Sequence, residues 1–176
     1  ATAMTLVPSM AEDAQEVVML QRSPTYVVSR PAKDWLANLL RAVLPTSWAY
    51  AITRWKNTTF QHLLYKQTRT KPEKIKKKLL KWAKKELDGA TSMEHFTPSY
   101  DPWDQRLCMV PDSDLFKALQ SGKAKVVTAS IDTITPDGIR LTNGDELKAD
   151  IIISATGLEL QIMGGMAITV DGQPFD

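Results

Sequence analysis

The apolar residues of this chain change their period twice. Before Arg30 and after Pro98 they gather in short runs rich in β-branched side chains, whereas from Pro31 to His95 they recur every three or four positions. Glu16–Gln21 (EVVMLQ) is a run of the first kind and predicts a buried strand, which Arg22-Ser23-Pro24 ends in a turn. Asp150–Ala155 (DIIISA) predicts a second, fully buried strand that opens into Thr156-Gly157. Strands on either side of a helical stretch of roughly 60 residues, too long for a plain loop, exclude an all-helical bundle and an all-β sandwich. The fold class is α/β.

Three apolar stripes divide the helical stretch. Trp35, Leu36, Leu39, Leu40, Val43 and Leu44 form the first, which Pro45 ends. Trp48, Ile52, Trp55, Thr59 and Leu63 form the second, with Thr46 or Ser47 as its N-cap. Ile75, Leu79, Trp82 and Ala83 form the third, entered through Pro72-Glu73 and closed at Gly89. Helical spacing assigns these aromatics to a core, leaving no platform on which bases would stack, so nucleic acid is not an expected partner. Upstream, Ala1–Glu12 reads as a helix with Met4, Val7 and Ala11 on one face and Pro8 restricting it. Downstream, Ser99–Val110 reads as a loop, Asp112 as the N-cap of a short helix, and Lys125–Thr128 as a strand. Turns at Pro136-Asp137-Gly138 and Asn143-Gly144 make a small antiparallel meander of Ser130–Lys148. The expected division is 1–30, 31–98 for the helical insertion, and 99–176.

A helix that feeds a strand, with no strand before it, looks like the second half of a βαβ unit, so the chain reads as a piece of a longer protein. Its longest charge-free run is the twelve residues Ala42–Thr53, too short to span a bilayer. No basic segment precedes Glu12 and Asp13 as it would in a signal peptide, which makes a cytoplasmic location the expectation. One cysteine, Cys108, excludes an internal disulfide, and His62 and His95 alone argue against a zinc site. Charge is distributed unevenly: residues 1–70 carry +4, residues 71–88 carry +5 and residues 89–176 carry −7. The lysine run Lys71–Lys85 reads as the solvated outer face of an amphipathic helix, with Glu73 pairing to Lys77, and a peripheral membrane contact is the alternative.

Three short segments have the chemistry of a nucleotide site. Ala1-Thr2-Ala3 opens a helix, where free N–H groups bind pyrophosphate, and Ala3 fits the small residue closing a G-x-G-x-x-A loop. Three small residues also open many ordinary helices. Arg22 and Ser23 stand at the end of the first strand, where an acidic residue would bond the 2′-hydroxyl of NAD and an arginine the 2′-phosphate of NADP. A solvated arginine at a strand end is the alternative. Ala155-Thr156-Gly157 is a small-residue turn that lets backbone approach a flat or phosphorylated ligand, or simply ends a strand.

Gln21–Pro24 (QRSP), Pro102–Leu107 (PWDQRL), Val110–Phe116 (VPDSDLF) and Asp150–Gly157 (DIIISATG) occur in this order along the chain. Together they resemble the class B flavoprotein monooxygenases, the flavin-containing and Baeyer–Villiger enzymes, and within them the ethionamide-activating and 4-hydroxyacetophenone-type subgroup. The resemblance implies a partial Rossmann-like NADPH-binding domain interrupted by a helical lobe, from the central part of an enzyme that uses NADPH and FAD. Most of the FAD site would lie outside this chain, and the isolated chain would be inactive. Such enzymes insert one oxygen atom of O2 into a ketone or a soft heteroatom substrate through a peroxyflavin. The resemblance makes Ala1, Thr2 and Ala3 the tail of the NADPH pyrophosphate loop, and Arg22 and Ser23 the 2′-phosphate clamp. Gln105 stands where many relatives carry a lysine that touches the same phosphate. Arg106 stands where Baeyer–Villiger enzymes keep a catalytic arginine, with a loop ion pair to Asp101 or Asp104 as the alternative use of that side chain. Ala155, Thr156 and Gly157 match the second nucleotide-contacting turn, and Leu158 replaces a frequent aromatic. Disulfide reductases share that turn, but one cysteine cannot form their redox pair. A binding module without turnover, or one that associates with membranes, is the other competing reading.

Overall fold

A computed structural model of the chain describes residues 2–157, 159 and 161–174. Helix α1 (Thr2–Asp13) buries Met4, Val7 and Ala11, the face expected from their spacing, and runs through Pro8. It feeds strand β1 (Val17–Gln21), and after the turn at Arg22 comes β2 (Tyr26–Arg30). Helices α2 (Trp35–Val43), α3 (Thr46–Thr70) and α4 (Pro72–Leu87) and a 3-10 turn at Met93–Phe96 follow. The chain returns through β3 (Leu107–Pro111), α5 (Asp114–Gln120) and β4 (Ala124–Thr128) to an antiparallel meander. The meander consists of β5 (Ile131–Thr135), β6 (Gly138–Leu141) and β7 (Glu146–Lys148). Two short strands, β8 (Thr169–Val170) and β9 (Gln173–Pro174), pair as a hairpin.

The strands that position the site pair in parallel and across long stretches of sequence. β1 lies beside β4, from Val17 opposite Ala124 to Gln21 opposite Thr128. β2 lies beside β3, from Tyr26 opposite Leu107 to Arg30 opposite Pro111. Parallel strands need a crossover, and helices supply both. Val17 and Met19 of β1 and Ala124 and Val126 of β4 turn inward, and α1 packs on α5 and on this pair. Their core continues through Leu115, Phe116 and Leu119 of α5 to Phe96, Val110 and Leu87. α4 covers β2 through Ile75 and Leu79, which meet Tyr26. The α/β class, the helical insertion and the meander all follow the pattern in the sequence.

Several local expectations do not hold. Asp150–Ala155 is neither a strand nor buried: it pairs with no described strand, and Ile151 is 76% exposed. A run of isoleucines becomes a buried strand only where neighbouring strands flank it, and no described strand does so here. The large aromatics of the helical lobe point outward, Trp35 being 73% and Trp55 70% exposed, and Trp48 and Trp82 similarly free. The spacing is helical as expected, but the inward faces of α2 and α3 belong to small or polar residues, Ala37, Ala49 and Thr68. Asp34 caps α2, accepting from the Ala37 amide at 3.1 Å and from Lys56 at 2.5 Å. This ties α3 back against the start of α2, and the two donors hold the Asp34 carboxyl below its ordinary pKa. α3 starts at Thr46 after Pro45, without a side-chain cap. Asp112 does not cap α5, whose N-cap is Ser113; its carboxylate instead accepts from the Ala32 amide at 3.0 Å. Glu73 and Lys77 form no ion pair among the described residues. No described helix is long and apolar enough to cross a membrane.

Candidate nucleotide site

The carboxyl ends of β1 and β4 are locked together by side chains. Gln21 donates from Nε2 to the His95 carbonyl at 2.7 Å and to Thr128 Oγ1 at 2.9 Å, and His95 Nδ1 lies 2.8 Å from the same hydroxyl. The Ala129 amide donates to the Gln21 carbonyl at 3.0 Å. The backbone therefore leaves the sheet at Arg22 from a fixed point. Arg22 is exposed there and Ser23 is half-buried.

The segment around Arg106 is fastened to this turn. Tyr26, 1% exposed, donates to the Tyr100 carbonyl at 2.6 Å, and the Tyr100 hydroxyl lies 2.9 Å from Thr25 Oγ1. The Tyr100 hydroxyl also donates to the Arg106 carbonyl at 2.8 Å, as Thr25 does at 3.3 Å. The rings of Tyr26 and Tyr100 meet edge to face, with centroids 5.4 Å apart. Burial, reinforced by the nearby Asp101 carboxylate, pushes the Tyr26 phenol up to about 12.

The carboxylates of this loop are engaged elsewhere. Asp104 accepts from Arg69 of α3 at 2.5 Å, and Asp101 lies 3.9 Å from Lys76 of α4. Trp103, at φ 73°, stacks edge-on against Tyr65. Arg106 pairs with neither aspartate; its Nη2 donates to Ser23 Oγ at 3.4 Å. Two residues 83 positions apart, nominated separately from sequence, thus meet at one turn, with Arg22 as the adjacent residue. Two guanidinium groups and a hydroxyl, all donors and all reachable from solvent, suit a phosphate ester.

The other nominated residues stay apart from this cluster. Thr2 and Ala3 form the first turn of α1, where Thr2 contributes its carbonyl to the Thr5 hydroxyl at 3.0 Å. Gln105 is exposed. Ala155, Thr156 and Gly157 are exposed and irregular; Thr156 Oγ1 lies 3.4 Å from Ser154 Oγ, and Gly157 holds φ +99°, a conformation that favours glycine. No hydrogen bond among the described residues joins them to Arg22, Ser23 or Arg106. Ala1 and Leu158 lie outside the described residues. A cleft of about 270 Å³ lies between Val27–Ser29 of β2 and Trp82, Ala83, Lys85 and Glu86 of α4, and another of about 310 Å³ is lined by Arg30, Pro31, Met109, Val110 and Pro111; none of the nominated residues lines either. Sequence reasoning missed Gln21, Thr25, His95 and Tyr100, which hold the cluster together. The only signal was Tyr100 and Trp103 interleaved with charges in an apparent loop.

No family model matches the chain. It is 52% identical over 177 residues to the probable FAD-binding monooxygenase AlmA of Acinetobacter baylyi, covering the whole chain and 36% of AlmA. It is 49% identical over 178 residues to the FAD-containing monooxygenase EthA of Mycobacterium tuberculosis, again covering the whole chain and 36% of the relative. The chain thus spans about a third of the length of the curated relatives it matches. Its fold resembles that of OTEMO crystallised with FAD and NADP, with a TM-score of 0.64 at 18% identity over 90% of this chain and 36% of that one. The resemblance to flavoprotein monooxygenases carried by the four motifs is borne out along the whole chain.

Proposed function

We propose that the chain is the central part of an NADPH- and FAD-dependent monooxygenase, contributing residues 1–30 as the first part of the NADPH-binding domain, 31–98 as its helical lobe, and 99–176 as the second part of that domain and the start of the return to the FAD domain. Bound FAD, reduced by NADPH, supplies the electrons with which one atom of O2 enters a ketone or soft heteroatom substrate while the other leaves as water. Arg22 and Ser23 bind the 2′-phosphate of NADPH, and Thr2 and Ala3 in the first turn of α1, with Ala1 before them in sequence, bind its pyrophosphate. Gln105 and the Ala155-Thr156-Gly157 turn complete the nucleotide contacts, and Arg106 stabilises negative charge that develops during oxygenation. The single observation carrying this reading is the convergence of Arg22, Ser23 and Arg106 on one turn at the end of β1. Its test is Arg22→Ala in the full-length protein. Loss of a charge-assisted contact should raise KM for NADPH by roughly 10–150-fold while hardly changing that for NADH. Equal changes for the two nucleotides refute the assignment.

The contact of Arg106 with Ser23 favours a second reading, in which Arg106 joins the phosphate clamp and stands in for the lysine that Gln105 replaces. Arg106→Ala separates the two. A catalytic Arg106 leaves flavin reduction by NADPH intact and abolishes oxygenation, whereas a clamp residue raises KM for NADPH and leaves oxygenation at saturating nucleotide near normal.

A further inference from the structure

On the reading of Arg22 and Ser23 as the 2′-phosphate clamp, on which this inference rests, we propose that Gln21 is a positioning residue. It holds the end of β1 so that Arg22 and Ser23 meet the phosphate, and thereby sets the preference for NADPH over NADH. Alternate residues of a strand share one face, so Gln21 stands on the face of β1 that carries the buried Val17 and Met19. Thr128, directly opposite, stands on the face of β4 that carries the buried Ala124 and Val126. Two apolar rungs thus give way to a polar one at the carboxyl end of the pair, although Phe96, the chain neighbour of His95, belongs to the same core.

The donors of this rung are all in use. One Gln21 Nε2 proton goes to the His95 carbonyl at 2.7 Å and the other to Thr128 Oγ1 at 2.9 Å. The Thr128 hydroxyl then turns its own proton to His95 Nδ1 at 2.8 Å, which leaves the imidazole proton on Nε2, 4.0 Å from Glu94. The end of β1, the end of the helical insertion and the end of β4 are thereby pinned together at the residue that precedes Arg22. Stability alone does not call for such a rung. Exchanging both partners of a hydrogen-bonded pair for apolar groups of similar shape is nearly neutral, and this face is otherwise apolar. What the polar rung adds is direction. Two bonds from one planar amide fix where the backbone leaves the sheet, and a guanidinium fork meets a phosphate only within a narrow range of geometry.

The test is equilibrium titration of NADP+ and of NAD+ into the full-length protein, with a thermal melt of each variant. Gln21→Leu should raise the Kd for NADP+ by about 3–10-fold and hardly change that for NAD+. Thr128→Val keeps the shape, removes the shared hydroxyl, and should act in the same direction by about 2–5-fold. It carries the test where Gln21→Leu does not fold. The double variant, Gln21→Leu with Thr128→Val, should show the same selective loss while melting within about 5 °C of the wild type. A double variant that melts far lower and weakens both nucleotides alike makes the rung merely structural and overturns the proposal. An unchanged ratio of the two Kd values in the single variants also overturns it. Arg22→Ala tells these failures from that of the clamp. A selective loss of NADP+ in Arg22→Ala, with an unchanged ratio in the Gln21 and Thr128 variants, removes the role of Gln21 alone. Equal changes for the two nucleotides in Arg22→Ala remove both.

Discussion

The chemistry of the candidate nucleotide site depends on what occupies the carboxylates around it. Arg69 and Lys76 engage Asp104 and Asp101, so Arg106 is left to face Ser23. Removing Arg69 should redirect Arg106 to Asp104, and Arg69→Ala in the full-length protein should raise KM for NADPH without touching any residue of the turn. An unchanged KM would show that the two arginines act independently. Tyr26 adds a pH dependence. Its phenol, pushed up to about 12 in the fold against about 10 in an unfolded chain, favours folding fully below pH 10 and loses that contribution as pH rises toward 12. Thermal melts of the wild type should therefore fall between pH 10 and 12, and Tyr26→Phe should flatten the fall. At neutral pH the same variant, lacking the bond to the Tyr100 carbonyl, should be less stable by about 0.5–1.5 kcal/mol. Arg22, Ser23 and Arg106 were legible in the sequence because strand-end chemistry and motif order point to them. Gln21, Thr25 and Tyr100 were not, because each acts through a partner more than seventy residues away.

Among the elements, those with local causes were read best. α4 follows from Pro72 at its first turn and from Ile75, Leu79, Ala83 and Leu87 on its inner face, and the meander follows from its two turns. β2 and β3 were missed because Tyr26–Arg30 and Leu107–Pro111 begin directly after a turn and a charged aromatic loop, and only their pairing makes them strands. Pattern gave helical period in α2 and α3 but not which face turns inward, since Ala37 and Ala49 carry too little hydrophobicity to mark a side. Two variants probe the elements directly. Leu115 of α5 is fully buried, and Leu115→Ala should cost about 2–5 kcal/mol in denaturant unfolding. At Gly138 a Cβ would stand 2.0 Å from the Leu147 carbonyl oxygen. Gly138→Ala should therefore break the β6–β7 register, seen as lost amide protection there, and destabilise by about 1–3 kcal/mol.

On the scale of the whole molecule, charge is divided between two bodies of opposite sign, the lobe strongly basic and the remainder acidic. Both cations of the site at the carboxyl end of β1 and β4 belong to the acidic remainder, Arg22 at the end of β1 and Arg106 in the loop that Arg69 and Lys76 of the lobe hold in place. The parallel pairing of β1 with β4 has a consequence in time. Val17 meets Ala124, a partner made 107 residues later, and at about 5–20 residues per second of synthesis the first strand waits roughly 5–20 s for it. The helices between them, built on local contacts, form within that interval. Through it the edge of β1 that faces β4 stays unpaired, so a nascent chain stalled in the lobe would present that strand edge to any chaperone at the ribosome exit.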